Sequence, residues 1–135
     1  LETAMLRAIW YPTTVATNSY ESKKIILEAL EKTGDPSTID FKLHDFGARG
    51  VSSLESAGIG GAAHLINFMG TDTVSSLVFL RKYYGADIAG FSIPASEHST
   101  ITSWGQENEI DAYRNMIKQF GKPGACMCIR QLQYL

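Results

Sequence analysis

The sequence predicts an α/β fold in which helices alternate with parallel strands and the functional loops gather at one end of the sheet. Three observations predict it. Apolar residues recur at helical spacing in several separate stretches, short β-type runs stand between them, and glycine or proline closes most of the stretches. A chain that returns to a sheet after each helix does so with parallel strands, and the loops that follow those strands then share one rim.

Residues 1 to 33 read as helix, interrupted near Pro12, which lacks an N–H and crowds the preceding turn. In the second half Asn18 is the expected cap, with Glu21 three residues on. Ile26, Leu27 and Leu30 form the apolar stripe, and Gly34 and Pro36 end it. Ile39 to Phe46 alternates loosely and predicts a strand ending at Gly47. Ser52-Ser53-Leu54-Glu55 is a capping-box pattern that opens a helix towards Phe68. That helix contains Gly58, Gly60 and Gly61, each costing about 1 kcal/mol against alanine. Such a cluster points to close backbone packing or to a ligand against the backbone. Asp72 or Thr71 is the expected cap of the next helix, which carries Val74, Leu77, Val78 and Tyr84 and stops at Gly85. Phe91 to Ile93 is a short strand candidate before Pro94. Ile110, Tyr113, Ile117 and Phe120 mark a last helix, ended by Gly121 and Pro123.

With 135 residues and 44% hydrophobic content, the chain suits one folded domain or a piece of a larger one. A net charge of −2 leaves no basic stripe to neutralise phosphates, which argues against nucleic acid as a partner. Lys23-Lys24, the longest basic cluster, is expected on the wet face of a helix. No apolar run reaches the ~20 residues of a membrane span, and the opening LETAML shows no basic leader or signal-like core, so secretion is not expected. Cytoplasmic residence follows as an expectation. Cys126 and Cys128 stand too close for an easy disulfide and are too few for a zinc site.

Each residue that could carry chemistry also has a plainer reading. Gly58 to Ala63 superficially fits a dinucleotide fingerprint, but the segment before it reads as helix rather than strand. His44, Asp45, Glu97 and His98 could hold a metal, although no two histidines have local ligand spacing. His64, among small residues on a helix, reads as a packed, hydrogen-bonded side chain. Arg49, between Gly47 and Gly50, is either an accessible phosphate clamp or a partner of Asp45. Asp72 is either a ligand group or only a cap. What lifts these residues is their joint position. Phe46, Arg49, Asp72, Ser92 and His98 all fall just after a strand or just before a helix, on the rim where α/β folds bind ligands.

Four blocks carry a resemblance: WYPTTVATNS (Trp10 to Ser19), KLHDFGARGVSS (Lys42 to Ser53), ESAGIGGAAHLINFMGTDT (Glu55 to Thr73) and PASEHSTITSWG (Pro94 to Gly105). Together they closely resemble the nicotinamide phosphoribosyltransferase family, from about Leu1 to about Pro123. The resemblance implies part of an irregular (β/α) barrel of the type II phosphoribosyltransferase kind, incomplete here, in an enzyme that works as a homodimer. It implies nicotinamide, phosphoribosyl pyrophosphate and ATP as partners and Mg2+ as cofactor. By the same likeness Phe46 stacks on the pyridine ring, and a tyrosine from the other subunit completes the sandwich. Arg49 stands by the base and the diphosphate. Asp72 accepts the carboxamide NH2, with Ser92 and Ala95 also at the base. His98 is phosphorylated by ATP and shares the diphosphate site with Arg49. His44, Asp45 and Glu97 are implied as channel-lining or supporting residues.

Beyond Gly124 the likeness ends, and the chain reads ACMCIRQLQYL. Read one base later, suitable codons for Ile129 to Leu135 yield Ser-Asp-Ser-Tyr-Asn-Ile, the turn that the family carries there. Residues 1–124 are therefore expected to be a fragment of the barrel domain and 125–135 a frame-shifted tail, with no role for the two cysteines. Three rivals remain open: an inactive truncated product with at most weak nicotinamide binding, a nicotinate-specific relative, and a metal-dependent hydrolase. A fragment would also leave an apolar face of the N-terminal helix exposed.

Overall fold

The computed structural model describes residues 1–121 and 128–129, so the expectation for the tail falls largely outside the described residues. Two compact units divide the chain, Leu1–Ser92 and Ile93–Leu135.

The first unit opens with α1 (Glu2–Thr33), a single helix that runs through Pro12. This corrects the expected interruption. Thr13 Oγ1 donates to the Ile9 carbonyl at 2.7 Å and Thr14 Oγ1 to the Trp10 carbonyl at 2.7 Å, so hydroxyls bond carbonyls of the turn that the proline disturbs. With no break, Asn18 lies inside the helix and caps nothing. Ile26, Leu27 and Leu30 turn inward, half-buried, while Met5, Leu6, Ile9, Trp10 and Ile25 stay exposed. Lys23 departs from its expected place. Its ammonium reaches Asp40 Oδ1 and the Asn67 carbonyl, each at 2.6 Å, and ties α1 to the chain beneath. Lys24 alone is on the wet face, paired with Glu21.

The expected strand over Ile39 to Phe46 shrinks to β1 (His44–Asp45). Asp35 accepts from the Ser37 amide, Pro36 supplies a preset φ, and Pro36–Phe41 winds into a 3-10 turn instead. A second 3-10 turn, Gly47–Gly50, leads from β1 to α2 (Leu54–His64). Ser53 caps α2 by accepting from the Ser56 amide at 3.0 Å. The capping pattern was thus legible, shifted by one residue. Then come β2 (Gly70–Thr71) and α3 (Val74–Tyr84), which Gly85 stops at φ +66°. β1 pairs with β2 in parallel, His44 opposite Gly70 and Asp45 opposite Thr71, and Phe91 forms a parallel bridge to Gly70 on the far side. The unit is an α/β arrangement of three adjacent parallel segments connected through α2 and α3.

Mostly small residues make its core, around Phe68. Ala57, Ala62, Ala63, Phe68, Thr73 and Ser76 are buried. A Cβ on Gly60 would lie 2.5 Å from the Tyr11 hydroxyl, and one on Gly61 2.6 Å from Ser76 Cβ. The glycine cluster is therefore explained by backbone packing of α2 against α1 and α3. It lies inside a helix rather than between a strand and a helix, so the dinucleotide reading falls.

The second unit contains β3 (Ala95–Ser96), α4 (His98–Thr102) and α5 (Glu109–Phe120), with β4 (Cys128–Ile129) paired in parallel to β3. Ile101 and Ala112 are buried, whereas Ile110, Ile117 and Phe120 on α5 remain exposed. No helix among the described residues is long and apolar enough to cross a membrane.

Candidate functional site

Three neighbouring parallel segments end together, and the residue after each is polar or aromatic. Phe46 follows Asp45, Asp72 follows Thr71, and Ser92 follows the bridged Phe91. The ladder hydrogen bonds set this edge: the Asp72 amide donates to the Asp45 carbonyl at 3.0 Å, and the Thr71 amide to the Phe91 carbonyl at 2.9 Å. Carboxyl ends of parallel strands are where α/β sheets present binding groups.

Asp72 is not a helix cap. Thr73 occupies the cap position of α3, and the Thr73 amide donates to Thr71 Oγ1 at 3.0 Å. That frees the Asp72 carboxylate to turn to the rim. Its Oδ1 accepts from Ser92 Oγ at 2.5 Å and lies 3.2 Å from His44 Nε2, a close approach without hydrogen-bond alignment. The His44 side chain is 6% exposed and that of Asp72 35%. The His44 ring also packs on Phe46, with centroids 4.4 Å apart at 39°. Phe46, His44, Asp72 and Ser92 are thus joined by successive contacts that draw together residues far apart in the chain.

Asp45 turns the other way. Its Oδ1 accepts from the Gly47 amide at 2.7 Å, and Thr71 Oγ1 donates weakly to Oδ2 at 3.4 Å. It shapes the turn that carries Arg49. The pairing of Arg49 with Asp45 is not formed, and the exposed guanidinium has no ion pair among the described residues. Beside this edge is a cavity of about 360 Å³, lined by Tyr11, His44, Asp45, Phe46, Gly61 and His64 among others.

His64 is held as a structural reading expects, but by residues that local sequence could not name. Ser19 Oγ is 2.8 Å from His64 Nδ1, and His64 Nε2 is 3.2 Å from the Leu43 carbonyl. A carbonyl can only accept, so Nε2 carries the proton and Nδ1 accepts from Ser19. The ring stacks on Phe68 at 5.1 Å. Burial pushes its pKa below the usual 6.5, against smaller upward pulls from the Leu43 carbonyl and Asp45. This link fixes the backbone one residue before His44. Only the inward position of a helical serine hinted at it, because its partner lies 45 residues away.

In the second unit Ala95 is exposed on β3 and His98 opens α4. His98 is 26% exposed, and its Nδ1 lies 3.4 Å from Glu97 Oε1. An Nδ1–H directed at the carboxylate leaves Nε2 as the lone-pair nitrogen. Among the described residues no group of three His, Cys, Asp or Glu side chains that could hold a metal ion is found.

The Nicotinate phosphoribosyltransferase (NAPRTase) family profile matches residues 41–133. The chain is 60% identical over 131 residues to a nicotinamide phosphoribosyltransferase of Xanthomonas campestris, covering 96% of this chain and 28% of that protein. It is 37% identical over 121 residues to the one from Mycoplasma pneumoniae and 34% over 119 residues to the one from Acinetobacter baylyi, covering 88% and 87% of this chain and 24% of each relative. The chain thus spans about a quarter of the length of the curated relatives it matches.

Proposed function

Because the chain belongs to the nicotinate phosphoribosyltransferase family, we propose that it forms the base-recognising part of a nicotinamide phosphoribosyltransferase. In that reaction the pyridine nitrogen of nicotinamide attacks the anomeric carbon of phosphoribosyl pyrophosphate. The bond to diphosphate breaks, and nicotinamide mononucleotide and diphosphate result. The centre is oxocarbenium-like, so nearby anions and a well-stabilised leaving group lower the barrier. The product serves NAD salvage.

The observation that carries the reading is the Asp72 carboxylate at the strand edge, held by Ser92 and set beside Phe46 through His44. A flat, electron-poor pyridine ring suits the Phe46 face. Oδ1 of Asp72 is engaged with Ser92, which leaves Oδ2 for the carboxamide NH2. Ser92, with its proton directed at Asp72, offers the amide only acceptor lone pairs. Two acceptors match an NH2 group, which has two N–H donors, and repel a carboxylate, which has none. The nicotinate-specific alternative is disfavoured on this ground. Ala95 is assigned to the base by the family resemblance alone, and Arg49 offers a planar cation to phosphate oxygens.

Nε2 of His98 takes the γ-phosphoryl group of ATP as the bond to the departing ADP breaks, while Glu97 holds Nδ1–H, and attack of water on that phosphohistidine, releasing phosphate, drives an otherwise uphill transfer. Mg2+ ordinarily keeps waters and substrate phosphate oxygens and needs few protein ligands. A homodimer in the cytoplasm, with an aromatic residue of the second copy covering the pyridine, completes the picture. With only a quarter of its relatives' length, the 135-residue chain by itself is not expected to turn over.

Calorimetric titration of nicotinamide and nicotinate into the full-length protein carrying this segment tests the reading. Wild type should prefer the amide, and Asp72→Ala should reduce that preference by about tenfold, the value of one charge-assisted hydrogen bond. Equal preference before and after the change refutes the role of Asp72.

A further inference from the structure

We propose that His44 is a positioning residue for amide recognition: its buried imidazole orients the Asp72 carboxylate so that Oδ1 faces the interior and Oδ2 faces the base. The inference rests on the nicotinamide reading and deepens it.

Three observations support it. First, the His44 side chain is 6% exposed, yet neither ring nitrogen has an aligned hydrogen bond. Buried polar atoms ordinarily find partners, so an unpartnered imidazole asks for a reason. Second, the nearest acceptor to Nε2 is Asp72 Oδ1 at 3.2 Å. Polar contacts at binding sites are often misaligned without ligand and tighten when it enters. A small rotation of the carboxylate, drawn by an NH2 on Oδ2, would bring Oδ1 into line with Nε2. Third, the imidazole has a built slot. It lies between Phe46 on one side and Gly70 on the other, where a Cβ on Gly70 would sit 2.7 Å from Nδ1. No side chain fits at residue 70 unless the ring moves. His44 and Gly70 are directly opposed in the β1–β2 register, so the ladder itself sets the ring's height at the rim.

The arrangement makes a chemical prediction beyond that for Asp72. Oδ1 accepts from Ser92 and is approached by His44 Nε2, so His44 completes the hold on the carboxylate as the ligand draws it into line. Loss of His44 leaves Asp72 in place but free to turn. Nicotinamide recognition should then weaken in the binding step, while the chemistry at the ribose carbon, which His44 does not touch, proceeds.

The test is steady-state kinetics with nicotinamide and nicotinate on the full-length protein carrying this segment, comparing wild type, His44→Leu, His44→Gln, Gly70→Ala and Asp72→Ala. His44→Leu should raise the nicotinamide KM about tenfold with kcat changed less than about threefold, and shrink the amide-over-acid ratio accordingly. In His44→Gln the amide nitrogen sits near the place of Nε2 and should restore most of the ratio. Gly70→Ala, which displaces the ring without removing it, should resemble His44→Leu. It supplies the test if the leucine variant does not fold. If the ratio depends on Asp72 but is unaltered in both His44→Leu and Gly70→Ala, the His44 inference is overturned and the base assignment stands. If wild type shows no amide preference, or Asp72→Ala retains it, the nicotinamide reading fails and the inference fails with it.

Discussion

Replacing Ser19 by alanine tests how the site is braced. The hydroxyl is buried on α1 and donates to His64 Nδ1 at 2.8 Å, while His64 Nε2 donates to the carbonyl just ahead of His44. Removing Oγ strands a buried acceptor, at a cost of about 1–3 kcal/mol. Alanine recovers about 0.5 kcal/mol of helix propensity in the middle of α1. The net loss is about 0.5–2.5 kcal/mol, or several degrees in Tm for a domain of this size. Urea unfolding at pH 7, followed by helical circular dichroism, measures it. The same ring sets a pH dependence. Burial lowers the folded-state pKa of His64 below 6.5, so the unfolded chain binds the extra proton first on acidification. Stability contributed by neutral His64 is complete above pH 6.5 and drains away as pH falls through the lowered folded value. His64→Gln should flatten that slope relative to wild type. A Ser19→Ala chain as stable as wild type, with a His64→Gln chain of identical pH slope, would show that the brace carries no energy.

Two further expectations concern packing and chemistry. Gly61→Ala forces a Cβ to 2.6 Å from Ser76 Cβ and 2.8 Å from Asp45 Oδ2, and should destabilise by about 1–3 kcal/mol in denaturant titration despite alanine's better helix propensity. Gly58→Ala meets its nearest atom, the Ser75 carbonyl, at 3.3 Å, so the same titration should find it much closer to neutral. In the full-length protein, His98→Ala should abolish ATP stimulation of nicotinamide mononucleotide formation while leaving slow basal transfer. A coupled assay with and without ATP reads both, and retained stimulation in the mutant rules out His98 as the phosphoryl acceptor.

Local chemistry decided what the chain could announce in advance. Ser53 caps α2 because its own side chain reaches an amide three residues away. Gly85 ends α3 because only glycine enters the left-handed region without cost. The alternation of helices with strand-ending residues placed Phe46, Asp72 and Ser92 on a common edge, and the blocks around them carried the family resemblance. Tertiary structure decided the partners. Pro12 remains within a helix whose disturbed turn is bonded by threonine hydroxyls. Ile39 to Phe46 yields to a proline-led turn, and β1 keeps only the two residues that find a ladder partner 26 positions away. Lys23 leaves the solvent for Asp40 and Asn67, Ser19 reaches His64, and Asp72 turns from capping to Ser92 and His44. Hydrogen bonds within one turn are set by residue type and spacing, which a sequence displays. Those spanning 17 to 45 residues exist only after packing has brought the groups together, so only the folded chain reveals which partners such side chains take.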